Sequence, residues 1–255
     1  MRILILGGTT EAAACAERLG RDPRFHAILS LAGRTRNPRQ QDGLEHRVGG
    51  FGGADGLAAY LAEARIDAVL DATHPFAAQI SANAERATRV RGLPLCTLVR
   101  APWRAEPGDR WIRVATIGDA ADALGAKPRR VFLAVGRQGA GAFRRAGQHA
   151  YVVRAIEQPD ADALPPETML IQARGPFALQ DEIALLTSQR IDVIVSKNAG
   201  GSATYAKIEA ARMLGLPVVM IERPNKAGRT FVARAAEALA WLHRLHGSVR
   251  SERSV

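Results

Sequence analysis

Short, unbroken apolar runs alternate along this chain with segments whose apolar residues recur every three or four positions. "ILIL" (3–6), "AVL" (68–70) and "VIV" (193–195) are continuous runs of strand length, as expected of strands buried on both faces. Between such runs, stretches like "TEAAACAERL" (10–19) carry helical spacing. In order, the first half predicts strands at 3–6, 25–31, 46–48, 68–70 and 95–99, and helices at 10–19, 55–64 and 77–91. The second half predicts an edge strand at 111–114 and strands at 131–135, 151–155, 169–173, 193–196 and 218–221. Helices are predicted there at 117–124, 140–145, 178–188, 204–214 and 232–245. Strands separated by helices imply parallel sheets covered on both faces.

The stretch "RAPWRAEPGDR" (100–110), with two prolines, a glycine and many charges, breaks the rhythm and marks a domain boundary. The expected domains are 1–100 and 101–247, with 248–255 a flexible tail. The fold class is α/β: two doubly wound, Rossmann-like parallel-sheet lobes with an interdomain cleft. Ligands in such sheets bind beyond the carboxyl ends of the strands, so strand ends are where chemistry is sought.

Composition narrows the function classes. At 47% hydrophobic and 24% charged, the chain reads as a soluble globular protein. It has no apolar run long enough for a membrane span, and "MRILILGG" is too short for a signal-peptide core. Cys15 and Cys96 lie in apolar or helical patterns without metal-ligand spacing. Buried free thiols, no metal and a cytoplasmic location are expected. The net charge of +10 fits nucleic acid, an anionic surface or an acidic small molecule. Aromatics are only 5% and the arginines are dispersed, so basic runs interleaved with stacking residues are absent.

Four groups of residues carry candidate chemistry. In "LGGTTEA", Gly7 and Gly8 let the chain turn tightly after the first strand, and Thr9 and Thr10 can cap the following helix. A helix start of this kind faces an anion such as a pyrophosphate, although a plain capped turn uses the same residues. The second strand ends in "ILSLAGRTR". It offers Ser30, Arg34 and Arg36 where an NAD site carries an acid, which suits a 2′-phosphate and hence NADPH. In "LDATHPFA", Asp71, Thr73 and His74 stand at a strand end, either as functional groups or as caps for a helix opened by Pro75. In the second half, Arg137, Arg154 and Arg174 fall at strand tips and suggest an anion-lined cleft. "SKNAGGSATYAKIEAAR" adds Lys197, the flexible pair Gly200 and Gly201, Ser202 and Thr204 as caps, and Lys207 pointing back along the first turn. Lysine is rare: Lys127, Lys197, Lys207 and Lys226 are the only four among 35 basic residues.

Together these stretches resemble the precorrin-6A reductases, the precorrin-6x reductase family of corrin (vitamin B12) biosynthesis. The resemblance rests on "LGGTTEA", "DATHPFA", "PW" after "LVR", "VGRQG", "ARGPF", "KNAGG" with "KIEAAR", and "VVMIERP", and spans nearly all of residues 1–224. It implies hydride transfer from NADPH to one double bond of the precorrin macrocycle, giving precorrin-6B. A related branch acts on the cobalt-containing ring. The macrocycle is a polyanion, which accounts for the basic charge and requires no protein-bound metal.

The resemblance also implies roles. Gly7, Gly8, Thr9, Thr10 and Glu11 would form the dinucleotide loop, with Ser30 and Arg34 on the 2′-phosphate and Thr73 beside the cofactor. Arg137, Arg154, Arg174, Lys197, Gly200 and Gly201 would face the substrate. Lys197, Asp71 and His74 are the candidate proton donors, alongside water. The expected partner is a small polyanionic tetrapyrrole, with no nucleic acid and no membrane, bound by a monomer or weak oligomer. Three rivals stand beside this reading: another NADP-dependent two-domain reductase or epimerase of an acidic substrate, a basic nucleic-acid-binding module, and a two-lobed tetrapyrrole enzyme without cofactor, which the glycine loop disfavours.

Overall fold

The computed structural model describes residues 1–33 and 44–252. The chain forms two compact units, one of residues 1–101 and 224–255, the other of residues 102–223.

Unit 1 opens with β1 (Arg2–Leu6), α1 (Thr10–Gly20), β2 (His26–Leu31) and β3 (Glu45–Val48). It continues with α2 (Gly53–Glu63), β4 (Ala68–Asp71), α3 (Ala78–Arg91) and β5 (Leu95–Leu98). Its last two elements come after the whole of unit 2 in the chain: β12 (Thr230–Val232) and α8 (Ala235–Glu252). The sheet is wholly parallel in the order β12-β5-β4-β1-β2-β3. Counted along the chain of unit 1, this is the order 3-2-1-4-5-6, with its reversal between β1 and β4.

Alternation along the strands builds two cores. Ile3 and Ile5 of β1, Ala27 and Leu29 of β2 and Leu70 of β4 point to the face covered by α1 and α8. Leu4 and Leu6, Ile28 and Val69 point to the face covered by Leu57 and Leu61 of α2 and Ala84 and Ala87 of α3. Each fully buried Leu or Ile contributes roughly 1.5–3 kcal/mol of apolar burial. Helix α1 buries Ala12, Cys15, Ala16 and Leu19, the spacing of one helical face.

Unit 2 contains β6 (Arg110–Val114), α4 (Ile117–Asp122), β7 (Arg130–Ala134), the single turn α5 (Arg137–Ala140) and β8 (Ala150–Ala155). Then come β9 (Thr168–Gln172), α6 (Leu179–Ser188), β10 (Val193–Lys197), α7 (Ala206–Met213) and β11 (Pro217–Ile221). Its sheet is also wholly parallel, in the order β6-β11-β10-β7-β8-β9. The order again reverses between two central strands, β7 and β10. Phe132, Val152, Ile194 and Met220 build one core face with Leu186 of α6 and Ile208 of α7.

Several expectations are corrected. The second domain was expected to reach residue 247, but the chain returns to unit 1 at Pro224. The return works because β12 pairs with β5, and Ala238 and Leu242 of α8 complete the core over α1. The strand Thr230–Val232 escaped the sequence reading because three residues give no periodicity. The expected tail from 248 continues α8 to Glu252, and residues 253–255 lie outside the described residues. The helix expected at 140–145 is a single α turn followed by a 3-10 segment, Gly141–Ala146. Pro75 does not open α3, which begins at Ala78 after the uncapped Ala77. Neither Ser202 nor Thr204 caps α7; Tyr205 occupies that position without a side-chain cap bond.

Candidate active site

The carboxyl ends of β1, β2 and β4 gather the candidate residues of unit 1. Gly7 donates its N–H to the carbonyl of Ser30 at 2.9 Å, so the glycine turn is fastened to the end of β2. A β-carbon at Gly7 would lie 2.6 Å from Cδ1 of Leu29, so any larger residue there would have to displace the Leu29 side chain. Gly8 takes φ +112, and nothing lies within 4 Å of where its β-carbon would be. The backbone there faces open space, as a turn approached by a ligand requires. Thr9 is the N-cap of α1: its Oγ1 accepts from the N–H of Ala12 at 3.1 Å and donates to the carbonyl of Ala72 at 2.8 Å. Thr10 is the first helical residue rather than a cap, and its hydroxyl donates to Glu11 at 3.1 Å.

Glu11 carries a negative charge at a helix start where an anion is expected. Arg100, just past β5, answers it with Nη1 at 2.7 Å. Burial pushes the Glu11 carboxyl up, but its backbone hydrogen bond, the Arg100 charge and bonds from Thr10 and Arg100 outweigh this and leave it below its ordinary value. Thr9, Glu11, Thr73, Pro75, Leu98 and Arg100 line one small pocket.

Asp71 ends β4 and is 0% exposed. Its Oδ1 accepts from the N–H of Thr73 at 3.0 Å, the hydroxyl of Thr73 at 2.6 Å and Nζ of Lys226 at 3.2 Å. Of the two readings, the helix cap is the one corrected: Asp71 and Thr73 form a buried network and do not cap α3, while Thr73 also lines the pocket. The other Asp71 oxygen, Oδ2, is buried without a hydrogen-bond partner among the described residues. His74 accepts the N–H of Phe76 on Nδ1 at 3.2 Å, which in the neutral ring puts the proton on Nε2.

Ser30 is buried at the end of β2. Arg34, expected with it on a 2′-phosphate, lies outside the described residues, as does Arg36.

In unit 2, Lys197 ends β10 and Arg137 follows its neighbour β7. Both stand at the reversal of that sheet, the position where doubly wound sheets take ligands. Gly200 and Gly201 adopt φ +65 and +74, left-handed values that a glycine pair supplies without strain. Their loop is held from behind. Nε1 of Trp103 donates to the carbonyl of Gly201 at 2.8 Å, and Asn198 pairs with the Trp103 backbone at 2.8 and 3.2 Å. Arg174 is exposed in the turn after β9, and the next turn residues reach the same loop, with Phe177 donating to the carbonyl of Ala203 at 3.4 Å.

Arg154 is a correction. It was expected at a substrate-facing tip, but it turns into unit 2 and pairs with Glu182 of α6, their side chains being 8% and 1% exposed. Its second nitrogen lies 3.1 Å from Glu182 Oε2, and its guanidinium stacks 3.7 Å from the centre of the Phe177 ring. In β8 the even-numbered positions Val152 and Arg154 share the face covered by α6, and that register carries Arg154 inward. Lys207 does point back along its helix, donating to the carbonyl of Thr204 at 2.5 Å and lying 4.8 Å from the Trp103 ring centre. Burial, reinforced by the Arg154 charge and opposed by Glu182, brings its pKa down to about 7.

The sequence reading missed Lys226, Arg100, Asn198 and Trp103 as parts of these networks. Rarity was the available signal for Lys226, one of four lysines. Burial holds the thiols of Cys15 and Cys96 up at about 11 and about 12, so both are protonated, unreactive core groups at neutral pH. Among the described residues no helix is long and apolar enough to cross a membrane.

Comparison with known proteins agrees with this layout. The family model for precorrin-6x reductase CbiJ/CobK matches residues 2–243. A precorrin-6A reductase of Sinorhizobium sp is 52% identical over 93% of this chain and 91% of its own length. One from Rhodococcus erythropolis is 50% identical over 94% of this chain and 97% of its own. The solved structure of a CobK precorrin-6A reductase superposes with a TM-score of 0.91 at 46% identity, covering 97% of both chains. With two parallel, order-reversing sheets and these matches over nearly its whole length, the chain belongs to the precorrin-6x reductase CbiJ/CobK family.

Proposed function

We propose that this protein reduces a precorrin with hydride from NADPH, unit 1 holding the dinucleotide and unit 2 the macrocycle. Family membership carries the coarser statement: the chain is an oxidoreductase of cobalamin biosynthesis that reduces a carbon–carbon double bond of precorrin-6A. The observation supporting the dinucleotide assignment is the turn Gly7–Glu11. It is an open, positive-φ glycine turn leading into a capped helix at the strand-order reversal. That cradle fits a pyrophosphate, since a β-carbon at Gly8 would occupy the open side. NADPH, when bound, supplies the hydride.

The residues of the chain bind and orient. Thr9 fixes the helix start, and Arg100 neutralises Glu11 beside it. Ser30 and Arg34 are assigned to the 2′-phosphate, which is the basis for NADPH over NADH. Arg137, Arg174 and Lys197 are assigned to the acetate and propionate groups of the substrate, with the Gly200–Gly201 loop against the ring. Lys197, Asp71 and His74 are the candidate proton sources. The protein is read as a cytoplasmic monomer or weak oligomer that binds no nucleic acid. A fluorescence titration with NADPH and a parallel titration with duplex DNA test this reading. Saturable NADPH binding with no DNA binding supports it; salt-sensitive DNA binding without NADPH binding refutes it.

A further inference from the structure

Lys226 lies on the segment between β11 and β12 that has no regular structure, yet its side chain is only 4% exposed. Its Nζ donates to Oδ1 of Asp71 at 3.2 Å, to the carbonyl of Thr73 at 3.0 Å and to Oγ1 of Thr73 at 2.9 Å. An ammonium has three protons, and these three acceptors satisfy it. Thr73 gives both its N–H and its hydroxyl to the same Asp71 oxygen, so the end of β4 closes into one knot. The residue between them, Ala72, accepts from Oγ1 of Thr9 at 2.8 Å, and Thr9 caps α1. A continuous line of hydrogen bonds and one peptide link therefore joins Lys226 to the start of α1.

We propose that Lys226 is a positioning residue for the turn between β1 and α1. It locks the end of β4, and that end holds Thr9 and the first turn of α1 in the geometry that receives the dinucleotide. The inference rests on the cofactor reading above. Lys226 acts through Asp71 and Thr73, and Asp71 serves as the buried counter-charge of the lock.

The test compares wild type, K226M and the double variant K226M/D71N on the full chain. NADPH affinity is read by fluorescence without substrate, and kcat and KM for NADPH are read with precorrin. K226M keeps the side-chain bulk but leaves Asp71 buried without its partner. It is expected to weaken NADPH binding about tenfold and raise KM to match, with a much smaller change in kcat. The double variant removes the stranded charge and is expected to bind between K226M and wild type. A folded K226M that binds NADPH as wild type does overturns the proposal. If K226M does not fold, wild-type affinity in K226M/D71N overturns it equally. Wild-type protein that binds no NADPH refutes the cofactor reading, and the role of Lys226 with it.

Discussion

Nη1 of Arg100 lies 2.7 Å from Oε2 of Glu11, joining the chain just after β5 to the first turn of α1 across 89 positions. The pair matters because of where the carboxylate stands. A helix N-terminus attracts anions, and a fixed carboxylate there competes with a phosphate unless its charge is answered. Arg100→Ala is therefore expected to weaken NADPH binding about tenfold, and Glu11→Gln in the same background to restore most of it. Equilibrium titration of the two variants checks the pair.

The same carboxyl gives a pH prediction. The folded-state pKa of Glu11 is below its ordinary value of 4.5. Its contribution to stability is present above that value and is lost as pH falls through the lower folded-state pKa. Lys207 gives a second, in the basic range. Its pKa is about 7 folded against an ordinary 10.5, so the unfolded chain binds more protons between those values. Stability from this group rises with pH across that window. Denaturant unfolding from pH 6 to 10 is expected to show the rise, and Lys207→Met to flatten it.

Asn198→Ala probes the loop behind Lys197. Asn198 is 2% exposed and both its side-chain atoms pair with the Trp103 backbone. Removing it strands one N–H and one carbonyl, at a cost of about 1–3 kcal/mol each. A fall in melting temperature together with a raised KM for precorrin is expected. A raised KM for NADPH alone would contradict the assignment of this loop.

Glu182→Gln separates structure from binding in unit 2. Breaking a buried ion pair from one side costs about 3–5 kcal/mol. The expectation is a large loss in denaturant stability, with precorrin affinity of the folded protein changed far less. A selective loss of precorrin affinity would return Arg154 to the substrate side.

The legible parts of the sequence were those with local causes. The central strands are continuous apolar runs because both faces of the sheets are covered, and the glycine turn announces itself in "GGTTEA". What escaped depends on contacts distant in sequence. The strand Thr230–Val232 is defined by its pairing with β5, more than 130 positions earlier in the chain. Lys226 reaches Asp71 across 155 positions, and no local pattern marks it. Arg154 was misread because a strand-end arginine looks the same whether it faces solvent or α6. Its direction follows from the register of β8, which places it beside Glu182.

The central claim is that the open glycine turn of unit 1 holds NADPH for reduction of a precorrin. Its most direct test is pre-steady-state oxidation of NADPH by the full chain on addition of precorrin-6A, with NADH as control and Gly8→Ala as variant. The account predicts one NADPH oxidised per macrocycle reduced. It predicts much slower oxidation of NADH, and loss of NADPH affinity in the variant, whose side chain would both strain φ +112 and fill the open side of the turn. Stoichiometric reduction by Gly8→Ala at wild-type rate and affinity would contradict it.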